Sequence, residues 1–363
     1  MSDNNDNNAV AGAIGYPSRS EETPAPEPLP IQPRPPRNLQ GLLRFAMEAT
    51  KSEDAPGNSE FGPMDEERKN FLEEALKSMT ANMAEVLSKS IKVLSNPERI
   101  QSIQLGEMLP DDIITAFNNL LEVVDDIDIA NDFYKMGGFA IFPVCYGSEN
   151  EQVRLLASSV LAEVCQNNPY CQARALECGL LNVLLNLVLT ERRLALSKCL
   201  SAISCTAREY DPACRELIAQ GGCKTLAQLL TTDEPMVRTK AAFLIRYLCH
   251  SYPEAKKQFI EMNVIRTIAE QIKAGRDNTS EHILSIMLIL VENNNPVVLA
   301  QCREPSLDLK QTLEKHLEHS DLIYDMFREE KEACEEILKK VFDSYPPIEV
   351  IEEIADRPSA VSS

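Results

Sequence analysis

The 363-residue chain contains no tryptophan, only 4 histidines, and 9 tyrosines against 11 phenylalanines. So few aromatic side chains favour packing through Leu, Ile, Val and Ala. So few histidines leave little material for a metal or acid–base centre. His316 and His319 are spaced to share a helix face, but no further ligand of zinc-site pattern stands beside them, so a solvated surface position is expected for both. There is no P-loop, dinucleotide fingerprint or nucleophile elbow. The acidic run from Asp125 to Asp132 begins like a calcium loop. Counted from Asp126, its sixth position is Asn131 where the loop needs Gly, and its twelfth is Gly137 where it needs Glu. The run therefore reads as a solvated helix terminus. No catalytic, cofactor-binding or metal-binding residues are expected, and the chain is not expected to be an enzyme.

Positive charge is scarce too: 36 Lys and Arg against 56 Asp and Glu, a net charge of −20. Such a balance argues against nucleic acid, whose phosphates need a cationic surface. No apolar run reaches the length of a membrane span, and the N-terminus has neither the basic nor the apolar region of a signal peptide. A cytoplasmic protein with no membrane partner is expected. The 11 cysteines are odd in number and form no C-x-x-C pair, and Cys165, Cys199 and Cys249 fall on apolar stripes. They read as free thiols used as small hydrophobes in a reducing compartment.

What the sequence does contain is a period. Met136-Gly137-Gly138, Cys178-Gly179-Leu180, Gln220-Gly221-Gly222 and Met262-Asn263-Val264 stand at intervals of 42 residues without insertion or deletion. Other columns keep the register: Phe142, Leu184, Leu226 and Ile268; Leu161, Ile203, Ile245 and Met287; Val164, Thr206, Leu248 and Leu290. A helical pattern recurring every 40 to 47 residues is the mark of an armadillo or HEAT solenoid. The expected fold is all-α, an armadillo-like right-handed superhelical solenoid with repeats over 128–294. Each unit reads as three helices, the third and longest expected at Glu151 to Asn167, Glu191 to Glu209, Glu234 to Ser251 and Ser280 to Asn293. The residue at each junction is expected at positive φ, which Gly adopts freely and Asn next most readily.

Either side of the repeats the pattern changes. Residues 1–63 carry Pro24, Pro26, Pro28, Pro30, Pro33, Pro35 and Pro36 among acidic and small polar residues, a composition expected to be disordered. An apolar and basic island, 34–47, interrupts it and reads as a short docking motif through Asn38, Leu39, Leu42, Leu43 and Phe45, against the plainer alternative of a nascent helix without a role. Capping helices are expected over 64–127, with Pro110 and Asp111 opening one of them. The strict period is expected to end at Asn293, leaving C-terminal capping helices over 295–343 and a frayed tail over 344–363.

With chemistry absent, a surface remains. The rows complementary to the buried stripe of the third helices are Leu155, Ser159 and Glu163; Ser197, Ser201 and Cys205; Thr239, Phe243 and Tyr247; Glu281, Ser285 and Ile289. Arg154, Lys198, Arg238, Lys240 and Arg246 flank them, a local basic excess in an acidic protein. A charge column is usually a wet face. Phe243 and Tyr247, expected to be exposed one turn apart beside Arg246, point instead to an interface, because Tyr and Arg are enriched at binding hot spots.

Certain stretches resemble the armadillo-type nucleotide exchange factors of the heat shock 70 kDa chaperone, in their cytosolic Hsp-binding branch. The resemblance spans about 34–343. It is carried by Arg34-Pro35-Pro36-Arg37-Asn38-Leu39-Gln40-Gly41-Leu42-Leu43, by Asn131-Asp132-Phe133, by Val164-Cys165-Gln166-Asn167, by Ala202-Ile203-Ser204-Cys205, by Lys240-Ala241-Ala242-Phe243-Leu244 and by Cys302-Arg303-Glu304-Pro305. It implies a co-chaperone whose concave face binds the chaperone's nucleotide-binding domain and promotes ADP release. The face would comprise Arg154, Ser159, Glu163, Lys198, Ser201, Cys205, Arg238, Phe243, Arg246 and Tyr247. The island at Asn38 to Phe45 would engage the substrate-binding side and help release clients, and a monomer is expected. The tail before residue 34 is Asn- and Pro-rich where better-known members are Gly-rich. The alternative is an armadillo adaptor for extended peptides. Such adaptors line their groove with Trp and Asn, whereas the Asn-equivalent positions here are Glu163, Cys205, Tyr247 and Ile289 and no Trp exists.

Overall fold

Each repeat turns on one residue in the left-handed region. Gly137, Gly179, Gly221 and Asn263 have φ of 83°, 69°, 81° and 52°. Each follows the end of a first helix, donates its N–H to the carbonyl three residues back, and starts the second helix on a new axis. At Gly179 the two helices, Pro169–Glu177 and Leu180–Thr190, meet at 77°. Asn263 offsets the strain of its conformation by capping the next helix, its side chain accepting from the Arg266 N–H. The residue after the junction is set by a different constraint. A Cβ on Gly138 would lie 2.4 Å from the Phe133 ring, and one on Gly222 would lie 2.4 Å from Leu217 Cδ1 and 2.6 Å from the Leu217 carbonyl oxygen. In the second repeat the sizes are exchanged, with buried Ala175 facing Leu180.

The computed structural model describes residues 82–343, together with Asn70. Contacts divide the chain into Met1–Asp65 and Glu66–Ser363, and all the described residues belong to the second unit. The motif residues Asn38, Leu39, Leu42, Leu43 and Phe45, the start of the N-terminal cap and the C-terminal tail lie outside them. Every described element is helical.

Three ladders run through the repeats. The first helices, Ile127–Lys135, Pro169–Glu177 and Asp211–Ala219, stack in turn; so do the second helices Ile141–Tyr146, Leu180–Thr190 and Gly222–Leu229. The third helices, Glu151–Cys165, Arg193–Ala207, Pro235–Ser251 and Ser280–Val291, form the most extensively packed series, and Asp111–Val123 adds a preceding rung. Every residue of the three apolar columns read from the sequence is buried. Near the N-terminal end, Phe133, Phe139 and Phe142 pack ring to ring, with Phe139 and Phe142 5.2 Å apart at 85°. The 82–94 helix buries Leu87 and Leu94 against this end. Asp126 caps Ile127–Lys135, accepting from the Asp128 and Ile129 N–H groups, so the acidic run is a helix start.

Two polar side chains in one column tie the first helix of a unit to the end of that unit's third helix. Gln172 Nε2 donates to the Cys205 and Arg208 carbonyls at 2.7 and 2.8 Å. Two repeats on, Lys256 Nζ donates to the Ile289 carbonyl at 2.6 Å. Asn168 caps Pro169–Glu177 and donates to Asn131 Oδ1 at 3.1 Å, which gives both asparagines a structural role. Asn167 and Glu209, one period apart, have φ of 52° and 62° and turn the chain from a third helix into the next first helix.

The strict 42-residue period is lost beyond Asn293, but the three-helix pattern continues. Pro296–Cys302, Leu309–Leu317 and Arg328–Leu338 form a fifth three-helix unit, each stacking in the layer its order predicts or beside it. Its left-handed residue is Asp308, φ 51°, three positions later than a strict period from Asn263 would place it. The tetrapeptide Cys302-Arg303-Glu304-Pro305 builds this turn. Cys302 is buried, Arg303 Nε donates to the Val341 carbonyl at 2.8 Å, Glu304 pairs with Arg266, and Pro305 opens a single 3-10 turn.

His316 is likewise not on the surface. Its Nε2 lies 2.7 Å from Glu330 Oε1, and Arg276 donates to both oxygens of the same carboxylate at 3.0 and 2.9 Å. All three side chains are buried, with Glu330 at 1% exposure. His319 stays exposed. Burial raises the Glu330 pKa, but hydrogen bonds from His316 and Arg276 outweigh it, and the carboxyl sits below its ordinary 4.5.

Two stability predictions follow from these contacts. Gly221→Ala should cost about 1 kcal/mol in urea unfolding, the penalty of a left-handed Ala. Gly222→Ala should cost about 2–3 kcal/mol, because the Leu217 carbonyl cannot move aside as a side chain can; equal costs would refute the distinction. Because Glu330 has a depressed folded pKa, its contribution is complete above its unfolded value and is lost as pH falls through the folded one. Glu330→Gln should therefore cost roughly 1–3 kcal/mol at pH 7, because it removes the buried charge that Arg276 and His316 share while leaving Arg276 its Asp321 partner. It should also shrink the difference in stability between pH 7 and pH 4.

Candidate functional site

Residues of the third-helix rows meet across repeat boundaries, because columns 42 residues apart lie side by side. Lys240 reaches back one repeat, donating to the Ser197 carbonyl at 3.1 Å and to the Ser201 hydroxyl. Phe243, 48% exposed, leans forward one repeat onto His282, with ring centroids 4.4 Å apart. The Tyr247 hydroxyl accepts the Glu209 N–H at 2.8 Å, and the Arg208 guanidinium lies 5.5 Å from its ring. Tyr247 is thus half-buried and structural at its polar end, not exposed as its sequence position suggested. Burial and the neighbouring Lys198 both lower the Lys240 pKa. Lys198, Ser201, Cys205 and Glu163 are half-buried along the same rows, and Arg246 is exposed. Burial raises the Cys205 thiol, with Glu163 adding to the effect, so it is a poor nucleophile at neutral pH.

Arg208, Phe243, Arg246, Tyr247, His250, Leu288 and Ile289 line a cleft of about 530 Å³, with Glu292 its one carboxylate. Arg208, His250 and Glu292 share a 42-residue column that the sequence reading did not follow. That column continues one residue beyond the third helix in the second repeat, where a helical-face count stops.

Three other expected residues are committed to the fold. Arg154 pairs with Glu191, which is only 3% exposed, and donates to the Ser148 and Glu149 carbonyls at 2.7 and 2.9 Å. Arg238, two periods later, pairs with Asp277 and donates to the Thr232 carbonyl at 2.7 Å. Ser159 is buried, its hydroxyl donating to the Leu155 carbonyl within its own helix. These arginines lie near the starts of third helices and clamp the loop before to the loop after. Arg154→Ala should lower stability by about 3 kcal/mol, because it leaves Glu191 buried and unpaired. Arg246→Ala should change it by less than about 0.5 kcal/mol. Thermal or urea unfolding of the two variants separates clamp from face.

The stacked three-helix units define an armadillo-type repeat protein. A designed armadillo repeat protein superposes with a TM-score of 0.54 over 70% of this chain and 99% of its own, at 14% identity. A computationally designed armadillo repeat protein for modular peptide recognition gives 0.56 over 69% and 99%, at 15% identity. At such identities the likeness concerns the fold alone. The sequence model of the SIL1/FES1/HPBP1 C-terminal domain matches residues 129–235, and that of nucleotide exchange factor Fes1 matches 39–133. Hsp70-binding protein 1 of Homo sapiens is 28% identical over 322 residues, covering 86% of this chain and 87% of that protein. Its Mus musculus counterpart is 28% identical over 319 residues, covering 86% and 88%. Residues 39–235 thus match, in succession, the Fes1 nucleotide exchange factor and SIL1/FES1/HPBP1 C-terminal domains, and the Hsp70-binding proteins are the chain's relatives over most of its length.

Proposed function

We propose that this protein is a cytoplasmic, monomeric co-chaperone that binds the nucleotide-binding domain of a heat shock 70 kDa chaperone through its third-helix rows and promotes ADP release. The observation that carries the reading is the joint one: the match to exchange-factor domains, together with a cleft whose cations and aromatic edge stand out from a chain of net charge −20. Arg208, Phe243, Arg246, His250 and Glu292 are its exposed members. No bond is made or broken by such a factor. It binds the ADP-free chaperone more tightly than the ADP-bound form, and by linkage ADP must weaken its binding by the same factor. Helices whose side chains interlock across repeats suit that task, because a face that deformed on contact would dissipate the differential binding. The segment Asn38 to Phe45, outside the described residues, is proposed to engage the substrate-binding side of the chaperone during client release.

Release of fluorescently labelled ADP from the isolated nucleotide-binding domain should accelerate in proportion to added protein until saturation. Unchanged release at saturation would overturn the proposal. Phe243→Ala with Arg246→Ala should weaken binding by about 10- to 100-fold while leaving the far-ultraviolet helical signal intact.

A further inference from the structure

Ile323, Tyr324 and Met326 are 84%, 64% and 77% exposed. Scattered surface hydrophobes are ordinary, but three large ones within four residues form a patch. The segment holding them is built, not frayed. It consists of two successive 3-10 turns, Ser320–Ile323 and Asp325–Phe327, with Leu322 buried just before the exposed residues. Arg276 holds it from the fourth repeat, pairing with Asp321 at 2.9 Å and lying 4.1 Å from the Phe327 ring centroid. A protrusion held in this way gives up little conformational entropy on docking.

Its flanks are acidic on balance, Asp321, Asp325 and Glu329 against one cation, Arg328, which pairs with Glu332. A surface that fits it must offer apolar area with cationic edges. This chain carries such a surface in the cleft on the third helices of the third and fourth repeats. There Phe243, Leu288 and Ile289 supply apolar area and Arg208 and Arg246 the positive edge. We propose that the Ile323–Met326 protrusion of one copy docks in this cleft on a second copy. The two faces are unlike, so the contact is heterologous and the association depends on concentration. Three side chains and their rim fall below the roughly 1,200 Å² of a standard interface, so the dissociation constant belongs at about 10 μM or weaker. Self-association requires no chaperone and goes beyond the exchange-factor reading: below the dissociation constant the chain stays the monomer of that reading, and above it the contact would occupy the face assigned to the chaperone.

Sedimentation velocity on the full chain from roughly 5 to 500 μM tests it. The weight-average coefficient should rise with concentration. The triple variant Ile323→Ser, Tyr324→Ser, Met326→Ser and the single variant Arg246→Glu should each weaken association at least about tenfold. Both alter exposed side chains, so folding is preserved. Adding Asp325→Arg to Arg246→Glu should restore association in part. A wild-type chain that sediments as a monomer throughout overturns the proposal, as does association that neither variant changes. A monomer whose triple variant loses ADP release would assign the protrusion to the chaperone instead, and equally overturns it. If the wild-type chain fails to release ADP, the exchange-factor reading falls while the sedimentation result stands.

Discussion

One backbone constraint organises the molecule: a residue at positive φ between the first and second helix of each unit. Four such residues 42 positions apart impose the same change of direction on four helix pairs, measured as 77° at the second. An L-residue with a Cβ resists that conformation by about 1–2 kcal/mol, which is why three of the four are glycine and the fourth is an asparagine that caps its own helix. With the bend repeated, equivalent side chains of neighbouring repeats fall side by side. Lys240 can then reach Ser197 and Ser201, and Phe243 can lie on His282. The face is a product of the junctions as much as of the helices that display it.

Charge is partitioned by the same geometry. Cations that reach a loop carbonyl or a buried carboxylate are consumed by the fold: Arg154 with Glu191, Arg238 with Asp277, Arg276 with Glu330, Lys256 on the Ile289 carbonyl. The three arginines close one repeat against the next and Lys256 ties two helices of its own repeat, which matters in a solenoid because a unit has only its neighbours to pack on. The cations left at the surface of the third-helix rows are few, and in a chain of net charge −20 they are locally conspicuous. A partner steered to them meets the aromatic edge of Phe243 at the same point, so attraction and desolvated contact coincide.

Period and junction conformation were legible in the sequence because both are local. A glycine at fixed spacing needs no knowledge of the rest of the chain, and the buried columns follow from helical periodicity. Partner choice was not legible in the same way. Arg154 and Arg246 are the same residue type on the same kind of helix, and only the position of Glu191, 37 residues further on, sends one into the fold and leaves the other outside. Tyr247 looked exposed on a helical wheel because a wheel omits the preceding repeat, whose Glu209 N–H takes its hydroxyl. His316 looked solvated because its partners Arg276 and Glu330 lie on two other elements. The fifth unit escaped detection for a simpler reason. Its left-handed residue, Asp308, lies 45 positions after Asn263, so a search at 42 finds Pro305 and ends.

That shift has a structural consequence at the C-terminal end. A later junction lengthens the turn into Leu309–Leu317, and the chain returns to the third-helix layer through two 3-10 turns before Arg328–Leu338 begins. The four regular repeats enter their third helices through shorter connections, with no apolar excursion. Here three large apolar side chains stand exposed within four residues, and among the described residues only here is a buried carboxylate shared by an arginine and a histidine from separate elements. The two features belong to one arrangement. Arg276 holds Asp321 at the root of the excursion and Glu330 at the start of the last helix, so the ion pairs that close the solenoid also hold its apolar protrusion in place. A closing repeat must end the ladder without exposing an unpaired apolar face, and the Arg276 cluster does so with charge, displacing apolar surface from the end of the stack to its side.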